Sequence, residues 1–532
     1  MTEKLPSPSF DRIDQYLRWY AGVAPEVPSW IDGDLVTTRA QSADKVDALA
    51  RSLLAAGVSL GQRVAVFGRP GATFIELFLA IGSVGAIYVG LNPRYTANEL
   101  RPLLQDATPV LVFDLVTKDE NATPSLTQAI DGLIPPTQLV LDVQVSSFIG
   151  NGLDIAAHTL AQAREAVSAN AVALLVYTSG TTGRPKGAQL THRGLTFIAP
   201  VTNDPAHFGV VGQGRTLCNL PINHVGCVVD LCCNSIATGV TLVFQPEFNP
   251  EAMLAAIERY RLTLVGGVPV MFLLMSRSPE FRRTDYSSLQ RVVLAGNAAP
   301  LPLVRELQQV MGAPVINGYG LTEAMGFSTF TELNADAETV AHTVGRFDPR
   351  IVWRISDERG ALPPAGEVGE IQMSGDWLFA GYFKRESETR EAFTSDGWFR
   401  TGDLAMENLD GNIVLTGRSK EMFKSGGYNV FPVEIERAIE AESDVAMAVV
   451  VPVPDPMFAE VGFAYVVAKQ GAPKLHMAAL RESLRLRLAN YKLPKHFLQI
   501  QDLPMLPIGK VDRIGLRDRA CAQIADGPTA TA

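Results

Sequence analysis

Cysteine is scarce: five residues in 532, none spaced C-x-x-C, which leaves no disulfide framework and no zinc-ribbon pattern. Cys218, Cys227, Cys232 and Cys233 fall together in apolar sequence and Cys521 stands apart. The set reads as buried free thiols of a reducing compartment, with a metal site as the minor alternative. Cations are in deficit, 46 Lys and Arg against 56 Asp and Glu, for a net charge of −10. A general nucleic-acid or anionic-membrane surface needs clustered Lys and Arg, so no nucleic-acid partner is expected, and any polyanionic ligand must find locally positive sites. Long apolar runs are missing too. The longest, Leu77 to Leu91 and Leu262 to Ser276, are interrupted by Gly or Pro and fall short of the roughly 20 residues of a membrane span. No signal pattern opens the chain and no S-K-L address closes it, so a soluble cytoplasmic protein is expected. The seven histidines form no H-E-x-x-H, so a metal hydrolase has little support, and a Ser-His-Asp hydrolase likewise.

What is present is ordinary globular material, 47% hydrophobic with 45 glycines, in a length that implies several folding units. From about residue 40 helical and strand signals alternate. SADKVDALARSLLAAGV carries Val46, Leu49, Leu53 and Leu54 at helical spacing behind Ser42 and Asp44 as caps, and the strand RVAVFG follows. FIELFLAIGSVGA and IYVGLN repeat the scheme, and NPEAMLAAIERYRL offers Asn249 as a cap and Pro250 at the first helical position, before the strand LTLVGG. Strands alternating with helices predict an α/β fold with mixed or parallel sheets sandwiched by helices. From about Thr343 turn residues become dense and strands short, which predicts a β-rich subdomain at about 343–417. A compact α+β module follows at 418–524, and the tail 525–532 reads as disordered.

The segment VALLVYTSGTTGRPKGA places a strand before a loop with Gly180, Gly183 and Gly187, the hydroxyls of Thr178, Ser179, Thr181 and Thr182, and the cations Arg184 and Lys186. Glycines allow close backbone approach, N–H groups and hydroxyls donate hydrogen bonds, and lysine adds a charge, so the loop suits phosphate oxygens. It is not a Walker A loop, because Pro185 stands five residues after Gly180 and Lys186 is followed by Gly187.

At YTSGTTGRPKG the chain resembles the adenylate-forming superfamily of acyl- and aryl-CoA synthetases, adenylation domains and firefly luciferase. Six further motifs carry the resemblance in order: PINHVG (221–226), LAGNAAP (294–300), NGYGLTE (317–323), WFRTGD (398–403), GRSKEMFKSGGYNV (417–430) and PIGKVDR (507–513). The resemblance implies a large N-terminal domain, 1–417, and a small mobile C-terminal domain that swings on Lys420. It also implies activation of a small-molecule carboxylic acid, fatty or aryl, by MgATP to an acyl-AMP and pyrophosphate, then transfer to CoA. A stand-alone enzyme loading a carrier protein is the alternative within the fold, and a catalytically silent ligand-binding scaffold is the alternative outside it. A monomer and a homodimer both remain open.

Residue by residue, the resemblance assigns Thr178, Ser179, Gly180, Thr181, Thr182, Gly183 and Lys186 to the β- and γ-phosphates. Tyr319 would stack on adenine, with Asn317, Gly318 and the Gly296-Asn297-Ala298 turn along the base. Thr322 would bond the α-phosphate, Glu323 would hold Mg²⁺, and Asp403 would accept the ribose hydroxyls with Arg418 beside it. Lys510 would be the adenylation lysine. Lys424, Gly426 and Gly427 would serve the thiol step with CoA; Lys420 and Lys424, at i, i+4, otherwise read as a solvated helix face. His224 would gate an apolar acyl pocket formed with Val268, Met271, Gly318, Met325 and Gly326. An Asp placed to bind an α-amine is not identified, Asp230 being the nearest candidate.

Overall fold

RVAVF, IYVGL and the other short apolar runs become central strands because both of their faces are covered by helices. The computed structural model describes residues 9–116, 123–133, 138–141, 144–178, 185–210, 213–357, 360–361, 363–364, 366–469, 471–472, 474–506 and 510–525. The expected disordered tail lies outside these residues, apart from its first position. Within them, one six-stranded sheet runs Gln138–Leu141, Leu111–Asp114, Arg63–Phe67, Ile87–Leu91, Val172–Thr178, Lys186–Thr191, all parallel except the last. A second, seven-stranded sheet runs Val315–Asn317, Arg291–Leu294, Leu264–Gly267, Arg215–Cys218, Thr241–Phe244, Pro28–Asp32, Leu35–Thr38, again parallel until its final pair.

Local chemistry sets the helices between them. Pro250–Arg259 starts where expected, with the Asn249 side chain accepting from the Ala252 N–H at 2.8 Å. Arg39–Ala55 starts earlier than expected. Thr38 is its cap, in a reciprocal box with Gln41, while Ser42 sits inside the helix and donates to the Thr38 carbonyl. Val46, Leu49 and Leu53 enter the core as the periodicity requires, and Leu54 stays half-buried.

The β-rich region is a four-stranded antiparallel sheet, Val352–Ser356, Gly369–Ser374, Phe399–Glu407 and Ile413–Arg418. The next strand, Phe423–Ser425, belongs to a different sheet with Tyr428–Val430, Ala459–Ala468, Val445–Asp455 and His496–Ile500, whose apolar clusters are its own. Lys420 lies in the exposed turn between these sheets and Lys424 on the strand Phe423–Ser425, opposite Asn429. The i, i+4 lysine pair is therefore not a helix face. Gly426 and Gly427, at φ +56° and +88°, close the hairpin in a conformation that side chains disfavour.

Four of the five cysteines are fully buried, and Cys521 is half-buried. Cys218 Sγ stands 3.6 Å from Cys227 Sγ and 3.7 Å from Cys232 Sγ, a cluster that the sequence spacing did not announce. Among the described residues no helix is long and apolar enough to cross a membrane.

Candidate active site

The carboxyl ends of the parallel strands in the seven-stranded sheet converge on one cavity of about 160 Å³. Arg215–Cys218 leads to Leu220, Pro221 and His224; Leu264–Gly267 to Val268; Arg291–Leu294 to Ala295 and Gly296; and Val315–Asn317 to Gly318, Gly320 and Thr322. That is where open α/β sheets place ligands. Glycine is needed at the closest approaches: a Cβ on Gly318 would meet the Thr329 carbonyl at 2.6 Å, and one on Gly320 would overlap the Gly326 carbonyl.

Lys510 reaches this cavity from the C-terminal module. Burial and then the Arg418 guanidinium draw its pKa below the ordinary lysine value, while Asp403, Glu323 and Glu421 act against them. A lysine already desolvated among carboxylates is a ready partner for incoming phosphate charge. His224 stands on the same wall. Its Nδ1 accepts the Gly226 backbone N–H at 3.0 Å, which fixes the ring proton on Nε2. Burial, assisted by Lys510, lowers its pKa to about 3, so the ring is a neutral donor.

Beside the cavity, Asp403 is 5% exposed and has a donor on each oxygen: the Tyr319 hydroxyl to Oδ2 at 2.7 Å and Arg418 Nε to Oδ1 at 2.8 Å. The second link follows from strand register, which pairs Asp403 directly with Arg418. Carboxylate oxygens carry two lone pairs each, so Asp403 keeps acceptor capacity for a further ligand. Asn317 spends both amide hydrogens on the Val340 and Thr343 carbonyls, at 3.0 and 2.9 Å, which leaves its side chain only Oδ1, an acceptor, to offer. Glu323 Oε1 accepts from the Tyr382 hydroxyl at 2.8 Å, and the Lys186 ammonium lies 5.3 Å from the Tyr382 ring centre. Lys186, expected at phosphate, and Glu323, the expected Mg²⁺ ligand, are thereby held on one aromatic ring.

The structure thus gathers Lys510, His224, Thr322, Val268, Gly296, Gly318 and Gly326 on one wall, with Asn317, Tyr319, Glu323, Asp403, Arg418 and Lys186 adjoining. Thr178 ends its strand paired with Lys186. Ser179, Gly180, Thr181, Thr182 and Gly183 lie outside the described residues. Asn297 and Ala298 are exposed in the turn after Leu294. Met271 and Met325 do not line the cavity: Met325 packs against Gly194, and Met271 against Gly267 and the core beneath. Lys424, Gly426 and Gly427 are exposed and off the cavity wall.

Sequence reading missed Tyr382, and it missed Thr202, Thr216 and Asn234 on the cavity wall. None stands in a motif, and each joins the site through the fold. Gly57 to Gly61 has the G-x-S-x-G spacing of a hydrolase elbow, but Ser59 is exposed in a helix-to-strand turn, the reverse of the strand-to-helix turn that presents a nucleophile.

Two family models match the chain, one described as AMP-binding enzyme over residues 17–383 and one as AMP-binding enzyme C-terminal domain over 434–510. A feruloyl-CoA synthase of Amycolatopsis is 33% identical over 505 residues, covering 94% of this chain and 97% of that one. An indoleacetate–CoA ligase of Aromatoleum aromaticum is 31% identical over 506 residues, covering 95% and 97%. In fold, the chain superposes on an anthranilate CoA ligase solved with anthranoyl-AMP, with a TM-score of 0.86 at 22% identity, over 98% of this chain and 99% of that one.

Proposed function

The chain belongs to the AMP-binding enzyme family, and from that membership we propose that it is an AMP-forming acid:CoA ligase acting on an aryl or similarly short acid. The observation that carries the reading is Lys510 of the C-terminal module seated in the cavity among Glu323, Asp403 and Arg418. In the first step the acid's carboxylate attacks the α-phosphorus of ATP, forming acyl-AMP and expelling pyrophosphate. Two anions meet there, and a cation fixed at that point stabilises the transition state more than the separated reactants. Neutral His224 can donate Nε2–H to the acid without adding charge. In the second step the CoA thiol attacks the acyl carbon, its proton is lost, and AMP leaves.

Mg²⁺ fits Glu323: a hard carboxylate oxygen with lone pairs to spare beyond the Tyr382 bond is the kind of ligand Mg²⁺ takes alongside phosphate oxygens. Bound there, it would neutralise phosphate charge. Substrate size is argued from the cavity, since about 160 Å³ matches the roughly 150 Å³ void that takes up benzene. Relatives named for feruloyl and indoleacetate acids support the same range. Exposure of Lys424, Gly426 and Gly427 while Lys510 is inside supports a rotation about Lys420 between the steps.

The test is pyrophosphate release across benzoates, arylpropenoates, arylacetates and fatty acids of graded length. Hydroxylamine trapping of the acyl-AMP, and CoA compared with a holo-carrier protein as acceptor, complete it. We expect CoA-dependent thioester from ring-bearing acids. A preference for long-chain acids would remove the size argument, and transfer to carrier protein alone would replace the ligase assignment.

A further inference from the structure

Lys510 is carried into the cavity by the C-terminal module, so whatever sets the direction of its backbone bears on the first chemical step. Residues 510–512 pair with residues 504–506: the Leu506 N–H donates to the Lys510 carbonyl at 2.7 Å, Met505 bridges Val511, and the Asp512 N–H donates to the Pro504 carbonyl at 2.9 Å. These bonds hold the two limbs to each other and not to the body of the module. Leu503 and Val511 do pack on the apolar cluster around Leu516, but apolar contact is non-directional and leaves the angle of the limbs open.

Direction comes from Arg513, at the start of the helix Arg513–Ala525. Its guanidinium sets two parallel bonds on Glu436, Nη1 to Oε1 at 2.7 Å and Nη2 to Oε2 at 2.8 Å. Such fork-to-fork pairing fixes orientation as well as distance. Glu436 is 7% exposed in the helix Pro432–Glu440, and its Oε1 also accepts the Val450 N–H at 2.7 Å, from the strand Val445–Asp455. Arg513 Nη1 donates in turn to the Val450 carbonyl at 3.3 Å. One ion pair thus joins a helix, a strand and the segment that bears Lys510. The strands Phe423–Ser425 and Tyr428–Val430, which flank the Gly426-Gly427 turn, supply none of the bonds just named.

We propose that Arg513, held by Glu436, is a positioning residue for adenylation, aiming Lys510 into the cavity, and that it takes no part in the thiol step. This rests on reading Lys510 as the adenylation lysine of an acid:CoA ligase. A preorganised cation stabilises a transition state only where the charge develops, and a misplacement of about 1 Å can cost about 10²-fold. Once pyrophosphate has left and the module has rotated about Lys420, Lys510 is out of the cavity and its aim ceases to matter.

The experiment is a double-mutant cycle on the full-length enzyme, with both half-reactions read on every variant. Arg513→Lys keeps the charge and loses the fork. It should slow ATP/pyrophosphate exchange about 10- to 100-fold, through kcat, with the KM for the acid nearly unchanged. Thioester formation from supplied acyl-AMP should stay within about 2-fold of wild type, as for an independent site, and it reports that the module is folded. Added to Lys510→Ala, Arg513→Lys should slow exchange no further, because a residue that acts through Lys510 then has nothing to act on. Losses that multiply in the double variant overturn the proposal, as do equal losses in the two half-reactions or wild-type exchange in Arg513→Lys. Should Arg513→Lys not fold, Glu436→Asp, which draws the carboxylate back from the fork, takes its place in the cycle with the same expectations. Exchange left intact by Lys510→Ala alone is a distinct result: it sinks the role of Lys510 beneath the proposal, and the proposal with it.

Discussion

The hydroxyl of Tyr319 donates to Oδ2 of Asp403 at 2.7 Å and so ties the NGYGLTE loop to the strand Phe399–Glu407, 84 residues later. Burial and the neighbouring Asp403 charge hold the phenol pKa well above its ordinary value, so it remains a donor at any working pH. Two of the roles that the family resemblance implies would depend on this bond. It fixes the ring against which adenine would stack, and it orients the carboxylate proposed for ribose.

Tyr319→Phe removes the donor and leaves a nearly buried carboxylate oxygen short of a partner. A hydrogen bond to a charged group contributes about 1.5–3 kcal/mol, so the KM for ATP should rise roughly 10- to 100-fold. The KM for the acid should move much less. Steady-state kinetics with each substrate varied in turn separate these, and a rise confined to the acid would place Tyr319 in the wrong half of the site.

Tyr382→Phe probes the other carboxylate. Glu323 loses the hydroxyl that orients Oε1, while the phenyl ring under Lys186 stays. With a hydrogen bond to a charged group worth about 1.5–3 kcal/mol, the Mg²⁺ concentration for half-maximal pyrophosphate release should rise by up to roughly 10- to 100-fold, with saturating Mg²⁺ restoring most of the rate. A loss that Mg²⁺ does not rescue would take Glu323 out of the metal's coordination.

Lys510→Ala should divide the two half-reactions. Removing a preorganised transition-state contact commonly costs about 10²- to 10³-fold, and that loss should fall on ATP/pyrophosphate exchange. Thioester formation from supplied acyl-AMP should be nearly intact. Lys424→Ala, at an exposed position outside the present cavity, should show the opposite bias. Equal loss in both half-reactions for Lys510→Ala would remove the two-arrangement account.

Legibility in the sequence followed how local the cause was. Asn249 and Pro250 name their own helix start because capping is settled within four residues. The glycine-rich loop and the LTE and TGD motifs could be read because their chemistry demands residue types at fixed short spacing. Thr38 displaced Ser42 as a cap because two plausible caps lay within one turn and only the reciprocal bond with Gln41 distinguishes them. Lys420 and Lys424 suggested a helix by spacing, but the Gly426-Gly427 turn pairs Lys424 across a hairpin instead. Met271 and Met325 looked like pocket residues because hydrophobicity does not say which side of a wall a side chain takes. The Tyr382–Glu323 bond spans 59 residues, and Thr202, Thr216 and Asn234 come to the cavity from separate elements. Such relationships exist only once the sheets have brought strand ends together.

Asp230 leaves a signature in stability. Burial raises its carboxyl from 3.8 to about 8, so between those values the folded chain holds a proton that the unfolded chain has released. Stability therefore falls as pH rises through that window and levels off above about 8, where the folded carboxyl has ionised as well. Asp230→Asn has no proton to lose and is free of this slope. Glu440, raised to about 8 by the same cause, tilts both proteins alike and drops out of the difference. The melting temperature of Asp230→Asn minus that of the wild type should increase steadily from pH 5 to pH 8 in thermal denaturation. A difference that stays constant over that range would mean the carboxyl is already ionised, with a charged partner supplied at the cavity wall.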